Sequence, residues 1–243
     1  MTSVQKKPLR IKPVRCVGTV LKILIDLLIA LIFFIPFYWM FITSVKTLGQ
    51  TLLMPPSFWV SDPQWGNFAV VFQKIDILGM LKNSLIVTAG TLFCQCVTVI
   101  PAAYAFARYR FKGSKILFGI TLATMMIPSQ LIFLPVYLMF SKWGMINTYW
   151  SLILPSASSA FAIFMLRQTF KQVSEELLEA ARLDKAGEFK IITRIMLPLA
   201  RPTVVTLTML TFINVWNDYF WPLVMTTKAD VRTLPVGIAS LRM

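Results

Sequence analysis

Five long runs of apolar residues dominate this 243-residue sequence. They cover approximately residues 21–42, 83–106, 116–140, 149–166 and 203–224. A helix of about 20 apolar residues crosses the ~30 Å hydrocarbon core of a bilayer, and a helix satisfies all of its own backbone hydrogen bonds there. With 57% hydrophobic residues and a mean hydropathy of +0.70, the chain is too apolar for an ordinary soluble domain. The sequence therefore predicts an all-α polytopic membrane bundle with five spans.

The lysines and arginines stand in separate clusters between the apolar runs. When alternate loops are assigned to alternate sides, 17 of the 24 basic residues fall on one side. The positive-inside rule identifies that side as the cytoplasm, so we predict a multi-pass protein of the cell membrane with a cytoplasmic N-terminus. A net charge of +14 would also suit a nucleic-acid-binding protein, but such a protein gathers its charge on one surface. We therefore predict no nucleic-acid partner.

The same alternation divides the chain into predicted segments. Residues 1–17 form a cytoplasmic basic tail, and residues 18–243 form the transmembrane domain. Within that domain, residues 43–81 form an external loop with short helices, 167–201 a cytoplasmic loop and 225–243 an external C-terminal segment. Prolines lie in or beside every span and favour kinked helices. These prolines are Pro36, Pro101, Pro128, Pro135, Pro155 and Pro222.

The residue content argues against catalysis or metal binding by this chain. It has no histidine, and of its three cysteines Cys94 and Cys96 lie in one apolar run, where a helix points them in different directions. It also has no phosphate-binding loop of the G-x-x-x-x-G-K-[ST] type. We predict no metal site, no cofactor and no enzymatic activity. A membrane-embedded enzyme is the alternative of a different class, but a paired-carboxylate motif within a span and a nucleophile elbow are both missing.

A polar segment from Glu179 to Pro202 interrupts the apolar pattern between the fourth and fifth runs. Each of its charged side chains would cost kilocalories in hydrocarbon, so the segment must protrude from the membrane. Ser174 is a candidate N-cap, and the acidic residues Glu175 and Glu176 suit the first turn of a helix. The sequence therefore predicts a short amphipathic helix that protrudes into the cytoplasm. A solvated loop that only joins two spans is the alternative interpretation.

The polar segment resembles the EAA loop of the membrane permeases of ATP-binding-cassette (ABC) importers, in the version found in sugar permeases of the maltose type. The matching positions are Glu179, Ala180, Ala181, Asp184, Ala186, Glu188, Ile195, Leu197, Pro198 and Pro202. One position departs from the family pattern: Lys185 stands where the family has a glycine directly after the aspartate, and Gly187 follows two residues later. A glycine would allow a turn with positive φ between two short helices, which a lysine disfavours.

This resemblance implies a type I ABC importer fold and a carbohydrate permease among the binding-protein-dependent transport system inner membrane components. Such a subunit works with a sister permease, an extracytoplasmic solute-binding protein and two ATPase subunits, which bind the ATP and Mg²⁺. The cytoplasmic helix would transmit ATPase closure to the spans, with Glu179 pairing with a basic residue of the ATPase. The residues expected to couple to the ATPase are Glu179, Ala180, Ala181, Asp184, Ala186, Gly187, Leu197 and Pro198.

Three alternatives stay open beside a sugar importer. A permease of the same kind could carry another solute, such as glycerol phosphate or a polyamine. A channel or secondary carrier would not need the segment 179–198. Family permeases have a sixth span and a short cytoplasmic tail after it, whereas this sequence stops at residue 243. The resemblance therefore implies a chain that lacks the last span, and a non-functional truncated permease is the third alternative.

The fifth run ends in a cluster of polar and aromatic residues. On one continuous helix, Asn214, Asn217, Asp218 and Trp221 would share a face and could hydrogen-bond or stack on a sugar. Contacts between helices and an outer aromatic belt would explain the same residues equally well. The candidate substrate path is Asn214, Trp216, Asn217, Asp218 and Trp221. Further on, a string resembles the family's external loop that contacts the binding protein. Its residues are Arg232, Thr233, Leu234 and Pro235.

Overall fold

The computed structural model describes residues 13–241, with side chains from residue 18 onward. The predicted basic tail, residues 1–17, therefore lies largely outside the described residues. Within residues 13–241 every regular element is helical, in agreement with the predicted all-α class. The chain divides into two compact units, the described parts of Met1–Lys74 and of Ile75–Met243.

The helices follow one another with short connections. In chain order they are α1 Pro13–Ser44, α2 Leu48–Leu52, α3 Gly66–Lys74, α4 Ile77–Arg108, α5 Ser114–Thr124, α6 Ser129–Lys142, α7 Tyr149–Ile153, α8 Ala160–Lys171, α9 Glu175–Leu183, α10 Glu188–Ile191, α11 Leu197–Leu199, α12 Arg201–Trp216, α13 Phe220–Met225 and α14 Leu234–Ser240. Single 3₁₀ turns lie at Leu154–Ser156 and Ala229–Val231, and a π turn at Ile192–Met196.

The first unit consists of one long helix and a compact loop. The apolar stretch Gly18–Ser44 of α1 is long enough to cross a membrane. After it, Lys46 is buried: its Nζ donates to the carbonyl oxygen of Ser57 at 2.6 Å and lies 4.6 Å from the ring centroid of Trp39. The predicted loop 43–81 is thus folded around a buried lysine and contains the expected short helices, α2 and α3.

The second unit is built around α4. This helix contacts α7, α8, α12 and α14, and Pro101 lies inside it without ending it. Its 32 residues give it a length of about 48 Å. α4 therefore connects the two ends of the unit, and each end carries a different group of polar contacts.

The third, fourth and fifth predicted spans are broken into separate helices, beyond the kinks that their prolines favour. α5 and α6 meet at 98°, residues 149–156 and α8 at 45°, and residues 188–199 and α12 at 85°. The fifth run also breaks after Trp216, and α13 begins only at Phe220. Residues 13–241 therefore contain two helices that could cross a membrane alone, or up to five spans if each bent pair counts as one.

Prolines and a polar residue of α4 explain two of these breaks. Pro128 immediately precedes α6, and Pro155 lies in the 3₁₀ turn after α7, where neither can donate a backbone hydrogen bond. At the second break, Gln95 of α4 donates to the carbonyl oxygen of Ser156 at 2.9 Å and accepts from Thr211 of α12 at 2.9 Å. Broken helices are tolerated in a membrane where neighbours satisfy the freed backbone groups in this way.

Two clusters of buried side chains hold the second unit together. The first cluster gathers around the C-terminal end of α4 and includes residues of α8, α9 and the 191–200 segment. Its members are Val99, Ala103, Tyr104, Ala162, Ile163, Leu166, Phe170, Leu178, Ile191, Met196 and Ala200. The second cluster lies nearer the N-terminal end of α4. Its members are Val87, Phe140, Leu152, Ile153 and Met225.

Candidate functional site

Helix α9 forms where the sequence predicts a protruding helix. It begins directly after Ser174, which occupies the N-cap position without a side-chain capping bond. Leu178 is completely buried in the first cluster, whereas Leu183, toward the opposite face, is 84% exposed. One face of α9 is therefore packed against the bundle, and the other is open to a partner.

The predicted coupling residues divide between these two faces. Most of them are exposed: Glu179, Ala180, Asp184, Gly187 and Pro198. The others are partly buried and pack against the first cluster: Ala181, Ala186 and Leu197. The eight predicted coupling residues, which lie between residues 179 and 198, therefore contribute both to an exposed face and to the packed face of this segment.

The turn after α9 has a lysine in the left-handed conformation. Lys185 has a φ of +56°, its N–H donates to the carbonyl of Arg182 at 2.9 Å, and the N–H of Ala186 donates to the carbonyl of Ala181 at 3.0 Å. These two bonds define a Schellman motif, whose left-handed residue is usually glycine. Gly187 has a φ of −69° and only precedes α10. The chain therefore keeps the turn that the family's glycine would allow, at the cost of strain at Lys185.

The corner between α8 and α9 is held by an arginine from the end of α4. The side chain of Arg108 is 7% exposed, and its Nη1 lies 2.7 Å from Oε2 of Glu175, in the first turn of α9. Its Nη2 donates to the carbonyl oxygens of Phe170, in the last turn of α8, and of Val173, in the corner after that helix. One side chain therefore contacts both helices that meet at the corner.

A second polar group holds the chain beyond α9. The hydroxyl of Tyr104, on α4, donates to the carboxylate of Glu188. Nε of Arg182 lies 3.4 Å from Glu188, and its Nη1 lies 3.7 Å from Glu175. The bond from Tyr104, aided by the charge of Arg182 and opposed by desolvation, lowers the pKa of the Glu188 carboxyl below its usual range. Arg182 thus links the start of α9 to the start of α10.

The segment from α10 to α12 presents the same division into buried and exposed residues. Ile191, Met196 and Ala200 are completely buried, whereas Phe189 is 81% exposed. Together with Leu183, Phe189 forms an exposed apolar pair at the turn between α9 and α10. Burying either side chain completely against a partner would contribute about 1.5–3 kcal/mol.

Several residues of this site were not predicted from the sequence. Tyr104 and Arg108 were assigned only to the end of a span and to a basic loop, because their partners lie more than 60 residues away in the chain. Leu183 and Phe189 could have been found from the sequence, since apolar residues in a polar protruding segment have no membrane to enter.

A cavity of about 760 Å³ lies between α6, the 3₁₀ turn after α7 and the break before α13. It is lined mostly by aromatic and aliphatic side chains, including Phe133, Phe220 and Trp221. Gln130 and Asp218 are among the polar side chains at its wall. A mostly apolar cavity with a few polar groups is the usual form of a small-molecule site.

The structure separates the predicted substrate-path residues. Asp218 and Trp221 line the cavity, but Asn214, Trp216 and Asn217 do not. The placement of Asn214, Asn217, Asp218 and Trp221 on one face of a continuous helix is wrong, because α12 ends at Trp216. The Oδ1 of Asp218 instead accepts from the backbone N–H of Trp221 at 3.3 Å, at the start of α13.

Trp221 packs against other side chains of the protein, so the two faces of its ring are not both free to stack on a ligand. Its indole N–H donates to the carbonyl oxygen of Ser151 at 2.9 Å, and the ring of Phe133 meets it edge-on at a centroid distance of 5.7 Å. Trp216 stacks on Phe212, with ring centroids 5.4 Å apart. These two tryptophans therefore have the structural contacts that the sequence left open as an alternative.

The last segment is tied to the N-terminal end of α4. Nδ2 of Asn83 donates to the carbonyl oxygens of Asp230 and Arg232 at 2.9 and 3.0 Å, and its Oδ1 accepts from the hydroxyl of Tyr149 at 2.7 Å. The N–H of Leu234 donates to Oγ of Ser84 at 2.9 Å. The segment is therefore fixed in place by a polar contact at this end of α4.

The predicted contact residues for a binding protein lie in this anchored segment. Thr233 is buried, and Arg232, Leu234 and Pro235 are partly buried, so the string 232–235 anchors the segment and has limited accessible surface. The exposed part is residues 227–230, where the N–H groups of Thr227 and Lys228 donate to Oδ1 of Asn147 at 2.7 and 2.9 Å.

Comparisons with known proteins agree with this architecture. The family described as "Binding-protein-dependent transport system inner membrane component" matches residues 99–243. The arabinooligosaccharides transport system permease protein AraQ of Halalkalibacterium halodurans is 33% identical over 82% of this chain and 70% of its own length. The sn-glycerol-3-phosphate transport system permease protein UgpE of Agrobacterium fabrum is 33% identical over 84% of this chain and 74% of its own length. The lactose transport system permease protein LacG of Rhizobium radiobacter is 30% identical over 85% of this chain and 75% of its own length.

A solved structure has the same fold. A chain of a bacterial ABC transporter involved in the import of the acidic polysaccharide alginate superposes with a TM-score of 0.76 at 24% identity. The match covers 97% of this chain and 82% of that chain. This likeness confirms the predicted ABC importer permease fold.

Proposed function

This chain belongs to the binding-protein-dependent transport system inner membrane components, and we propose that it is the permease subunit of an ATP-driven sugar importer. It would work with a sister permease, two ATPase subunits that bind ATP and Mg²⁺, and an extracytoplasmic binding protein. The observation that carries the proposal is the segment 175–200, which is packed into the bundle on one side and open on the other. A loop that only joined two spans would not need this construction.

A sugar is the substrate class that the relatives favour. AraQ and LacG are described as permeases for arabinooligosaccharides and lactose. The second candidate is glycerol 3-phosphate, which is favoured by the similar identity of the UgpE relatives. The cavity beside Asp218 and Trp221 is our candidate for part of the solute path, because its apolar wall carries a few polar groups.

The segment 175–200 would lie in the cytoplasm and dock on the ATPase. Its open side carries Glu179 and the exposed apolar pair, Leu183 and Phe189. The apolar pair would enter a cleft of the ATPase and contribute affinity, and Glu179 would pair with a basic residue at its edge. Close approach of the ATPase would be possible beside Glu179, where the exposed residue Ala180 is small.

The opposite end of α4 would face the outside. There the exposed residues 227–230 are the candidate contact for the binding protein, since 232–235 are used as an anchor. This orientation agrees with the distribution of basic residues, from which we expect a cytoplasmic N-terminus.

Co-purification with the ATPase tests this proposal. The chain, its candidate sister permease and ATPase are expressed together, and the amount of ATPase retained in detergent is compared between variants. We expect the combined change Leu183→Ala and Phe189→Ala to weaken retention by at least roughly tenfold, from about 1.5–3 kcal/mol lost per side chain. Glu179→Arg should also release the ATPase.

The matched control is Phe111→Ala, which truncates a phenylalanine that is 40% exposed in the other predicted cytoplasmic loop. This variant should retain the ATPase like the wild type. Equal retention by the wild type and the Leu183→Ala, Phe189→Ala variant would contradict the proposed docking surface. A wild-type chain that is inserted and folded but never holds an ATPase would contradict the proposed function itself.

A further inference from the structure

We propose that Arg108 is a positioning residue that locks the corner between α8 and α9 to the end of α4. A displacement of α9 would then move α4 and α8 with it as one body. This inference rests on the proposed function, because the displacement is the one that ATPase closure would impose on α9. It assigns a role to a residue outside the EAA segment, on a helix that reaches the other end of the unit.

The contacts of Arg108 carry the proposal. The corner consists of residues 172–174, between the end of α8 and the start of α9. On its α8 side Arg108 binds the carbonyl oxygens of Phe170 and Val173, and on its α9 side it binds the carboxylate of Glu175. The carbonyl oxygen of Phe170 also accepts from the backbone N–H of Val173 at 3.3 Å, and the positive charge of Arg108 suits the negative end of α8.

The start of α9 is held by a small number of side-chain contacts. The side chain of Ser174 makes no capping bond to α9, and this helix start is fixed by the ion pairs of Glu175 with Arg108 and Arg182 and by the buried Leu178. Because the side chain of Arg108 is 7% exposed, its bonds to the carbonyl oxygens of Phe170 and Val173 are partly shielded from water and are stronger than those of a surface pair. Glu175 is 57% exposed, so its bond to Arg108 is more strongly screened. Without the bonds of Arg108, the corner would act as a hinge between α8 and α9.

An arginine suits this role better than a lysine. Its planar guanidinium presents five donors in a fixed arrangement, and here two of its nitrogens bind three acceptors, one at the end of α8, one in the corner and one on α9. A lysine at 108 would keep the charge but could not hold all three acceptors in the same geometry. Loss of the guanidinium would also remove a charged donor from the carbonyl oxygens of Phe170 and Val173, which is unfavourable.

Because Arg108 lies on α4, its contacts at the corner would also affect the other end of that helix. The other end of the same helix carries Asn83, which binds the carbonyls of Asp230 and Arg232. A movement that reaches α4 at Arg108 would therefore be carried to the segment 225–240. The physical basis is a rigid helix fixed at both ends by side-chain contacts.

The test measures whether α9 and α4 move as one body in the assembled complex. The three cysteines are replaced by serine, and spin labels are attached after Glu176→Cys on α9 and Val97→Cys, which replaces a residue 59% exposed on α4. The distance between the labels is measured without nucleotide and after trapping the ATPase with ATP and vanadate. With Arg108 present, we expect the same narrow distance distribution in both states.

Arg108→Gln should broaden this distribution and shift its mean between the two states, while the ATPase is still retained. Arg108→Lys should give a smaller change of the same kind, and Glu175→Gln the smallest, because that carboxylate is 57% exposed. The matched control is Arg110→Gln, which changes an exposed arginine two residues away and should leave the distribution as in the wild type.

An unchanged distribution in Arg108→Gln, in a complex that still holds its ATPase, would overturn the inference and leave the proposed function standing. If Arg108→Gln does not assemble, the inference is tested with Arg108→Lys and Glu175→Gln. Distance distributions like that of the wild type in both variants would also overturn the inference. If the wild-type chain holds no ATPase, the proposed function fails and this inference fails with it.

Discussion

Substitution by glycine should stabilise the segment 175–191 at Lys185 and destabilise it at Lys190, because, of these two lysines, only Lys185 has a strained backbone. Lys185 has a φ of +56°, and a non-glycine residue in the left-handed region costs roughly 1–2 kcal/mol. Lys185→Gly removes this strain but adds about 0.5–1 kcal/mol of unfolded-state entropy that must be lost on folding. We expect a net stabilisation of about 0.5–1 kcal/mol for the end of α9.

Lys190→Gly is the matched control. Lys190 is exposed and helical, within α10, and has no strain for a glycine to relieve. A glycine in a helix costs about 1 kcal/mol relative to good helix formers, so this variant should destabilise the segment. Lys185→Val should also destabilise it, because a β-branched residue is still less suited to positive φ.

Hydrogen exchange of residues 175–191 in the purified protein measures both effects, since local opening sets the exchange rate. For Lys185→Gly we expect exchange to slow by roughly threefold, which corresponds to about 0.7 kcal/mol, and for Lys190→Gly to quicken by about fivefold. If Lys185→Gly quickened exchange as Lys190→Gly does, the left-handed turn and its Schellman bonds would not describe this segment.

Three further predictions follow from buried or polar contacts of the same unit. Leu178→Ala should lower the stability of the protein in detergent by about 2–5 kcal/mol, measured by thermal unfolding, because Leu178 is completely buried. Asn83→Ala should free the carbonyl of Asp230 and quicken hydrogen exchange of residues 227–234, with no change at 175–191. The ionised carboxyl of Glu188 should contribute its full stabilisation of the segment at neutral pH. This stabilisation should be lost as the pH falls through the lowered pKa of that carboxyl. Tyr104→Phe should move that loss of stability to higher pH, because it removes the hydrogen bond that lowers the pKa of Glu188. Hydrogen exchange of residues 186–200, corrected for the intrinsic rate, measures the midpoint. An unchanged midpoint would show that Tyr104 does not stabilise the ionised Glu188.

The sequence was sufficient to predict the helical class, the approximate positions of the apolar spans and the protruding helix α9. These features depend on local patterns, namely the length of an apolar run and the charge of the segment between two runs. The departure at Lys185 was also visible, although only the structure shows that the left-handed turn is kept there.

The breaks in the spans could not be predicted from prolines alone. Pro36, Pro101 and Pro135 lie inside continuous helices, whereas Pro128 and Pro155 stand at breaks. At the second break the difference depends on tertiary contacts, because a side chain of α4 supplies the hydrogen bond to the freed carbonyl. Such a donor is 61 residues away in the sequence, and a local pattern does not reveal it.

The polar contacts at the two ends of α4 were missed for the same reason. Arg108 belongs to a basic cluster that the sequence explains fully as an orientation signal, and its bonds to the end of α8 become visible only when the two helices are packed. Likewise, the string 232–235 resembles an external contact loop, but its backbone is bound by Asn83 and Ser84. The family was predicted correctly from the sequence, and the roles of the single residues stay predictions.

Site-specific cross-linking tests most directly the central claim that the segment 175–200 docks on the ATPase. The native cysteines are replaced by serine, Leu183→Cys is introduced, and membranes that contain the whole complex are treated with a short thiol–amine cross-linker. We expect an adduct of this chain with the ATPase for Leu183→Cys and none for Lys228→Cys at the opposite end of the unit. The proposed docking would be contradicted if Leu183→Cys formed no adduct with the ATPase and instead reacted with a membrane-impermeant thiol reagent added outside the cell.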